Sequence, residues 1–360
     1  DSSSVSSELT DVIEIYSTRS AFAALKSDGS VVTWGSSIQY FDADNLSSNV
    51  IDIFSTRSAF AALKSDGSVV TWGLNYEGGV TTYADGNLSS NVTDIFSTNT
   101  AFAALKSDGS VVNWGLINGS WGSVSSSVTD NLSSGVTQIY STNSAFAAVK
   151  SDGSVFTWGH IDHGGDSSSM SANLSSGVTK IYSTDSAFAA VKSDGSVVTW
   201  GSAAHGGDSS SVSSELTGVI EIYSTNSSFA AVKSDGSVVT WGSVDHGGDS
   251  SSVSSELTGV MEIYSTDTAF AAVKSDGSVI TWGSVAHGGD SSSVSANLSS
   301  GVTQIYSTNS SFAALKSDGS VVTWGNANLG GDSSSVSSEL TGIIEIYSLG
   351  IAFAAIVETA

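Results

Sequence analysis

The stretch Ala21-Phe22-Ala23-Ala24-Leu25-Lys26-Ser27-Asp28-Gly29-Ser30-Val31-Val32-Thr33-Trp34-Gly35 contains every part of a β-hairpin. Its first five residues form a short apolar run, and residues 31–34 are the β-branched and aromatic types that strands favour. The dipeptide Asp28-Gly29 predicts a tight turn in which both residues adopt a positive φ. The stretch therefore predicts two antiparallel strands.

The same hairpin recurs along the whole chain of 360 residues. Its tryptophan is found at Trp34, Trp72, Trp114, Trp158, Trp200, Trp241, Trp282 and Trp324. A period near 41 residues, with three or four short strands per unit, is typical of a β-propeller blade. An open stack of small sheets is the alternative, and the propeller is favoured because ring closure removes exposed sheet edges. We therefore predict an all-β fold with one β-propeller domain over residues 1–360.

The number of repeats gives eight or nine blades. The Phe-Ala-Ala segment occurs nine times, the last at residues 353–355, whereas the Trp-Gly strand occurs eight times. The count favours nine blades, with an incomplete ninth unit at residues 333–360 that lacks a strand. Residue 1 falls inside a repeat, which is consistent with a longer parent array.

The charge balance argues against several classes of function. The chain has 11 Lys and Arg against 35 Asp and Glu, and its net charge is -24. Binding to nucleic acid needs basic residues against phosphate, so we expect no nucleic-acid partner, and association with an anionic membrane surface is disfavoured for the same reason. No apolar run is long enough for a membrane span. An acidic chain with few lysines is typical of an extracellular or saline setting, so we expect an extracellular or cell-surface protein.

The repeat resembles that of the RCC1-like propellers over essentially the whole chain. Residues 222–242 match the family's order of a strand, a small-residue turn, an aliphatic strand, an Asp-Gly turn and a Val-x-x-Trp-Gly strand. Residues 72–78 match Trp-Gly-x-Asn-x-x-Gly. The short unit is similar to the compact bacterial branch and to repeats in large secreted or surface proteins of marine cyanobacteria. The family's Gly-His turn is replaced by Ser-Thr-x-Ser, and its proline is missing. The resemblance implies a fold, whereas partners depend on surfaces added to that fold.

The loops after the Trp-Gly strands are individual in the first three units, at residues 36–44, 74–86 and 116–122. They supply the candidate partner-binding residues, which are Tyr40, Phe41, Tyr76, Glu77, Tyr83, Asn118 and Trp121. The four later loops that read His-Gly-Gly-Asp contain His163, His205, His246 and His287. Each such loop offers two metal ligands, too few for a closed site, and loops on adjacent blades lie too far apart to share one ion. We therefore interpret these histidines as solvated turn residues, and we expect no metal and no cofactor.

The sequence contains no recognisable catalytic motif. It has no Gly-x-Ser-x-Gly, no His-Glu-x-x-His, no phosphate loop and no cysteine. We predict a non-enzymatic extracellular module of a surface layer, filament or adhesin. Its partner is a protein or a second copy, bound through a face or through the incomplete terminal blade. The alternative is a ligand-binding propeller, lectin-like or a protein inhibitor, that binds a glycan or a protein through the irregular loops.

Overall fold

The computed structural model describes residues 2–36, 38–82, 84, 86–121 and 126–357, without the side chains of residues 120, 121, 126 and 127. The described chain forms nine antiparallel sheets, numbered here in sequence order. Most have three strands in the order of the sequence, sheet 3 has a short fourth strand, and sheet 9 has two strands within the described residues. The predicted all-β class and the blade-like repeat near 41 residues are confirmed.

The strands of the first four sheets are β1 Val12–Ser17, β2 Ala21–Lys26 and β3 Val31–Gly35; β4 Val50–Ser55, β5 Ala59–Lys64 and β6 Val69–Gly73; β7 Val92–Ser97, β8 Ala101–Lys106, β9 Val111–Ile117 and β10 Ser120–Trp121; β11 Val136–Ser141, β12 Ala145–Lys150 and β13 Val155–Gly159. Those of the last five sheets are β14 Val178–Ser183, β15 Ala187–Lys192 and β16 Val197–Gly201; β17 Val219–Ser224, β18 Ser228–Lys233 and β19 Val238–Gly242; β20 Val260–Ser265, β21 Ala269–Lys274 and β22 Val279–Gly283; β23 Val302–Ser307, β24 Ser311–Lys316 and β25 Val321–Gly325; β26 Ile343–Leu349 and β27 Ala352–Val357.

Helical structure in the described residues is confined to short turns between the sheets. One α-helix spans Ser126–Asn131. The 3-10 helices are Asn75–Glu77, Ile161–His163, Ser168–Met170, Ala203–His205, Ser210–Val212, Val244–His246, Val285–His287, Ser292–Val294, Ala327–Leu329 and Ser334–Val336. The chain divides into two compact units, Asp1–Val178 and Thr179–Ala360. Whether it acts as the single domain predicted from the repeat stays a prediction.

The hairpin turn differs from the prediction in one respect. Gly29 has a φ of 76°, but Asp28 is not among the residues with positive φ. The Lys26 amide donates to the Ser30 carbonyl at 2.9 Å and the Gly29 amide donates to Lys26 at 2.9 Å. These bonds enclose a three-residue loop in which only the last position needs the left-handed conformation. Asp28 instead accepts bonds from the Ser30 amide at 2.9 Å and hydroxyl at 2.6 Å.

The Asp-Ser pair makes stability depend on pH. Hydrogen bonds from Ser237 lower the pKa of the exposed Asp235, and the same occurs in the other seven turns, for example at Asp28 and Asp194. A pKa lowered on folding stabilises the native state above about pH 4, the unfolded value, and this stabilisation is lost as the pH falls through the folded pKa. We expect Ser237→Ala to narrow the difference in thermal midpoint between pH 6 and pH 2.5. An unchanged difference relative to the parent protein would contradict this account.

Successive sheets pack face to face within each unit. We call the face toward the next sheet the front face and the face toward the preceding sheet the rear face. In the first unit, Ala21, Ala23 and Leu25 on the front face of sheet 1 share a core with Ile53, Phe60 and Trp72 of sheet 2. In the second unit, alanines of sheet 7 pack in the same way against Ile305, Phe312 and Trp324 of sheet 8. Alanine on one face and large side chains on the other let neighbouring sheets approach closely.

A line of backbone hydrogen bonds also joins neighbouring sheets at the Ser-Thr-x-Ser turn. In the first unit, the amide of Arg57 donates to the carbonyl of Asn99 at 3.1 Å. In the second unit, the amide of Asn226 donates to Asp267, that of Asp267 to Asn309, and that of Asn309 to Gly350, at 3.0, 3.0 and 2.9 Å. We call this line the turn ladder. It forms through the main chain, which explains why the third turn position accepts arginine, asparagine, aspartate or glycine.

Candidate interaction surfaces

The repeated aromatic residues are packing residues within the array. In sheet 6, Phe229 stacks on Trp241 with ring centroids 5.2 Å apart, and the centroids of the corresponding pairs in other sheets lie 5.1 to 5.3 Å apart. The indole Nε1 of Trp241 donates to the carbonyl of Gly206 in the preceding loop at 3.0 Å. Both rings are buried, Phe229 at 0% and Trp241 at 2% exposure. These contacts show that the repeated aromatic residues pack between neighbouring sheets.

The histidines of the later loops make local contacts. The ring Nδ1 of His205 lies 2.9 Å from the Ser202 hydroxyl, and His246 and His287 pair with serines in the same way. The carbonyls of these histidines accept a bond from a threonine of the preceding turn, for example from Thr225 to His246 at 3.0 Å. At His163, the carbonyl accepts from Thr142 at 2.9 Å. The described residues include no group of three or more potential metal ligands.

The irregular loops divide into buried and exposed candidates. Phe41 is half-buried and packs edge-on against Trp72 with centroids 6.1 Å apart. Glu77 occupies the position of the later histidines and is only 9% exposed. Tyr40 and Tyr76 are 57% and 46% exposed, and Asn118 is exposed in the turn between β9 and β10. Tyr83 and the side chain of Trp121 lie outside the described residues. Thus Phe41 and Glu77 support the loops, whereas Tyr40, Tyr76 and Asn118 face solvent.

Tyrosine–carboxylate pairs link neighbouring sheets. The hydroxyl of Tyr16 donates to Asp52 at 2.9 Å, and burial together with this bond raises the pKa of Tyr16 above its ordinary value. In the second unit, Glu221 accepts from Tyr182 at 2.6 Å and from Lys180 at 2.7 Å. Each of these side-chain hydrogen bonds, from Tyr16 to Asp52 and from Tyr182 to Glu221, therefore joins two neighbouring sheets.

Part of the rear face of sheet 1 is exposed at positions that are buried elsewhere in the repeat, whereas Ala24 and Trp34 on the same face are 0% and 9% exposed. Ile15 is 57% exposed, whereas its equivalents Ile53 and Ile95 are each 2% exposed. Phe22 is 41% exposed, whereas Phe60 is 1% exposed. This face is one of two that we call the end faces. Residues 18–35 and 56–73 have the same sequence, so the local sequence does not predict that Phe22 is more exposed than Phe60.

The front face of sheet 9 is the other end face. Tyr347 and Ile356 are 51% and 43% exposed, and Ala354 is exposed, whereas its equivalent Ala313 is 1% exposed. On the opposite side of sheet 9, a groove of about 450 Å³ lies between it and sheet 8, beside the core that Leu315 and Ile346 share. We call this the end groove. Phe353, Gly330 and Ile346 are among the residues that line it.

No family model matches the chain, and no curated protein matches it. Within the described residues, no helix is both long and apolar enough to cross a membrane. Among solved structures, the chain is similar to yeast RCC1 (Prp20) bound to Kap60, with 15% identity, 65% of this chain and 70% of that chain covered, and a TM-score of 0.40. It is similar to the CRINKLY WD40 ectodomain of the Arabidopsis thaliana receptor kinase ACR4, with 15% sequence identity and a TM-score of 0.40. The match covers 75% of this chain and 96% of that chain. It is also similar to human WBSCR16, with 15% sequence identity and a TM-score of 0.39. The match covers 64% of this chain and 76% of that chain. At these identities and scores, the solved structures assign neither an activity nor a partner to this chain.

Proposed function

We propose that this protein is a non-enzymatic structural and interaction module whose copies associate end to end through the two end faces. The contrast in exposure between equivalent residues carries the proposal. Ala313 is buried because the next sheet covers it, whereas Ala354 on the last sheet is exposed. The complement of this front face is a rear face of the same repeat, and sheet 1 presents one with Ile15 and Phe22 exposed.

The proposal extends to a role outside the cell, in a surface layer, filament or adhesin. It is supported by the net charge of -24, which keeps a chain with exposed apolar end faces soluble and favours a saline environment in which the charge is screened. A stack of copies buries apolar side chains at each joint, and that association is strengthened by salt because both partners are acidic.

We expect light scattering across a dilution series in saline buffer to show concentration-dependent oligomers. Ala354→Arg places a charge on the front face of sheet 9, and we expect it to weaken association at least tenfold, because an unpaired charge must lose its hydration at the joint. Val285→Arg is the matched control, since Val285 is 70% exposed in a loop away from the end faces. A concentration-independent monomer, or equal weakening by both substitutions, would overturn the end-to-end assembly.

The alternative is a ligand-binding module that uses the irregular loops of the first three units. It is favoured by the exposure of Tyr40 and Tyr76, because aromatic rings that face solvent supply contact area to glycans and proteins. The double variant Tyr40→Ala and Tyr76→Ala is therefore a second control in the light-scattering experiment. End-to-end assembly requires that this variant associate like the parent protein, whereas a loss of association would place the contact on the loops.

A further inference from the structure

The hairpin between β9 and β10 turns at the dipeptide Asn118-Gly119, and Asn118 is the only asparagine of the sequence that precedes a glycine. Both residues have a positive φ, 46° and 78°, as a type I′ turn requires. Both are exposed, and a Cβ placed on Gly119 would meet nothing within 4 Å. The two strands pair only at Ser120 with Ile117 and at Trp121 with Leu116. The dipeptide therefore lies in open space at the end of a short hairpin.

The polar groups of this dipeptide are not engaged by the part of the chain that the structure describes. The Asn118 side chain makes no hydrogen bond with a described residue, and the Gly119 amide donates none. Asparagine is a thermolabile residue because the backbone nitrogen that follows it can attack its side-chain amide. That attack is least hindered when the next residue is glycine, which has no Cβ. Asn118-Gly119 therefore combines the reactive dipeptide with a free attacking amide.

The eight Asp-Gly dipeptides of the repeated hairpin turns have the same kind of sequence, but their glycine amides are engaged. The Gly109 amide donates to the Lys106 carbonyl at 2.8 Å, and the equivalent bonds in the other seven turns are 2.8 or 2.9 Å long. The Asp108 carboxylate accepts from the Ser110 amide at 2.9 Å and from its hydroxyl at 2.6 Å. These bonds lower the pKa of Asp108, and an ionised carboxylate is a poor electrophile. The fold therefore protects these turns against cyclisation.

The Asn-Ser dipeptides of the turn ladder are also held. The Ser144 amide donates to Oγ1 of Thr142 at 3.4 Å, and the Asn143 carbonyl accepts from the Asn99 amide at 2.9 Å. In sheet 6, the Ser227 amide donates to the equivalent threonine at 3.4 Å. In these dipeptides the attacking amide must first leave a hydrogen bond, which it does only when the turn opens locally.

We propose that Asn118 is a site of spontaneous and selective deamidation in the folded protein. The Gly119 nitrogen attacks Cγ of Asn118 and forms an N–Cγ bond. The Cγ–Nδ2 bond breaks, and the side-chain nitrogen leaves as ammonia together with the proton of the Gly119 amide. Water then opens the cyclic imide. Addition of water at Cγ gives aspartate, and addition at the main-chain carbonyl carbon gives isoaspartate, whose backbone runs through Cβ and Cγ. The reaction consumes water and needs no oxidant or reductant.

Either product changes the loop at residues 116–122. Aspartate adds a negative charge at an exposed position. Isoaspartate adds a carbon atom to the main chain, and the two-residue turn cannot accept it without a change of strand register. We therefore expect the isoaspartyl form to lose the pairing of β10 with β9. This modification is separate from the end faces, so it does not depend on the proposed assembly.

The direct test is incubation of the full chain in a mildly alkaline buffer, followed by trypsin digestion and mass spectrometry. Trypsin releases residues 107–150 as one peptide, which contains Asp108-Gly109, Asn118-Gly119 and Asn143-Ser144. The side-chain amide of Asn118 should become a carboxyl group at least tenfold faster than that of Asn143, which is held in the turn ladder. An isoaspartyl methyltransferase should label residue 118 and not residue 108. An unchanged Asn118, or equal rates at Asn118 and Asn143, overturns the proposal.

The variant Ser144→Gly separates the effect of the fold from that of the dipeptide, because it creates a second Asn-Gly within the turn ladder. In the folded variant, checked by circular dichroism, Asn143 should still react at least tenfold more slowly than Asn118, since the following amide is held. In urea, the two asparagines should react at similar rates. Equal rates in the folded variant would show that the dipeptide alone sets the selectivity and would contradict the proposal.

The variant Gly119→Ala tests the attacking group. The methyl group of alanine hinders the approach of the backbone nitrogen, so the reaction at Asn118 should slow at least fivefold in the folded chain. The same slowing should occur in a peptide of residues 115–122, where the fold makes no contribution. An unchanged rate in both would exclude attack by the Gly119 nitrogen.

Discussion

We expect Trp241→Ala to lower the free energy of unfolding by about 3 to 5 kcal/mol, the range for removing a large aromatic side chain from a packed core. Trp241 is 2% exposed, stacks on Phe229 and donates to the Gly206 carbonyl at 3.0 Å. Truncation therefore leaves a cavity between sheets and removes the donor of a buried hydrogen bond. Urea unfolding followed by circular dichroism measures the effect.

Val244→Ala is the matched control for this substitution. Val244 lies three residues after Trp241 but is 65% exposed, so its truncation should change stability by less than about 0.5 kcal/mol. A loss below about 1.5 kcal/mol for Trp241→Ala, which is half of the lower bound expected for such a core residue, would show that the space between sheets can collapse.

We expect Gly206→Ala to destabilise the protein by roughly 2 to 5 kcal/mol, through two additive causes. Gly206 has a φ of 91°, where a side chain costs roughly 1 to 2 kcal/mol. A Cβ there would also lie 2.6 Å from Cδ2 of Phe229, and relief of that clash by moving a packed ring costs about 1 to 3 kcal/mol. Thermal unfolding measures the combined loss.

Gly342→Ala separates the two causes. Gly342 has a φ of 65°, but a Cβ there would meet nothing within 4 Å, so the control includes the conformational cost without the clash. We expect its destabilisation to be clearly smaller than that of Gly206→Ala. Equal losses from both substitutions would mean that the Phe229 ring moves without cost and that backbone conformation alone makes the glycine necessary.

The sequence predicts the interior of the array well and its ends poorly. The strands around Asp28-Gly29 and the packing role of Trp34 follow from local patterns that each repeat contains in full. The exposure of Phe22 does not follow from any local pattern. Residues 18–35 and 56–73 are identical, yet Phe22 is 41% exposed and Phe60 is 1% exposed. Burial here depends on whether another sheet lies against the face, and no local pattern encodes that.

The candidate site was predicted in part for the same reason. Counting repeats placed the last Phe-Ala-Ala segment at residues 353–355 and pointed to the terminal blade, but only the structure shows that Gly330 lies against the Phe353 ring and that both residues line the end groove. Among the loop residues, aromatic type did not separate Phe41, which packs on Trp72, from Tyr40, which is 57% exposed. The turn type was predicted wrongly at Asp28, because Asp-Gly occurs in both two-residue and three-residue hairpin loops.

The turn ladder makes each amide a reporter on its following neighbour. The amide proton of Asn309 is protected only while the turn between β26 and β27 holds Gly350 in place, and that of Asp267 only while the turn between β23 and β24 holds Asn309 in place. The bonds run in one direction, so loss of a sheet exposes the amide of the sheet before it and leaves the amide of the sheet after it bonded. Hydrogen exchange at this single turn position therefore follows fraying of an otherwise near-uniform chain one repeat at a time, and it distinguishes unfolding from the C-terminal side from unfolding from the N-terminal side.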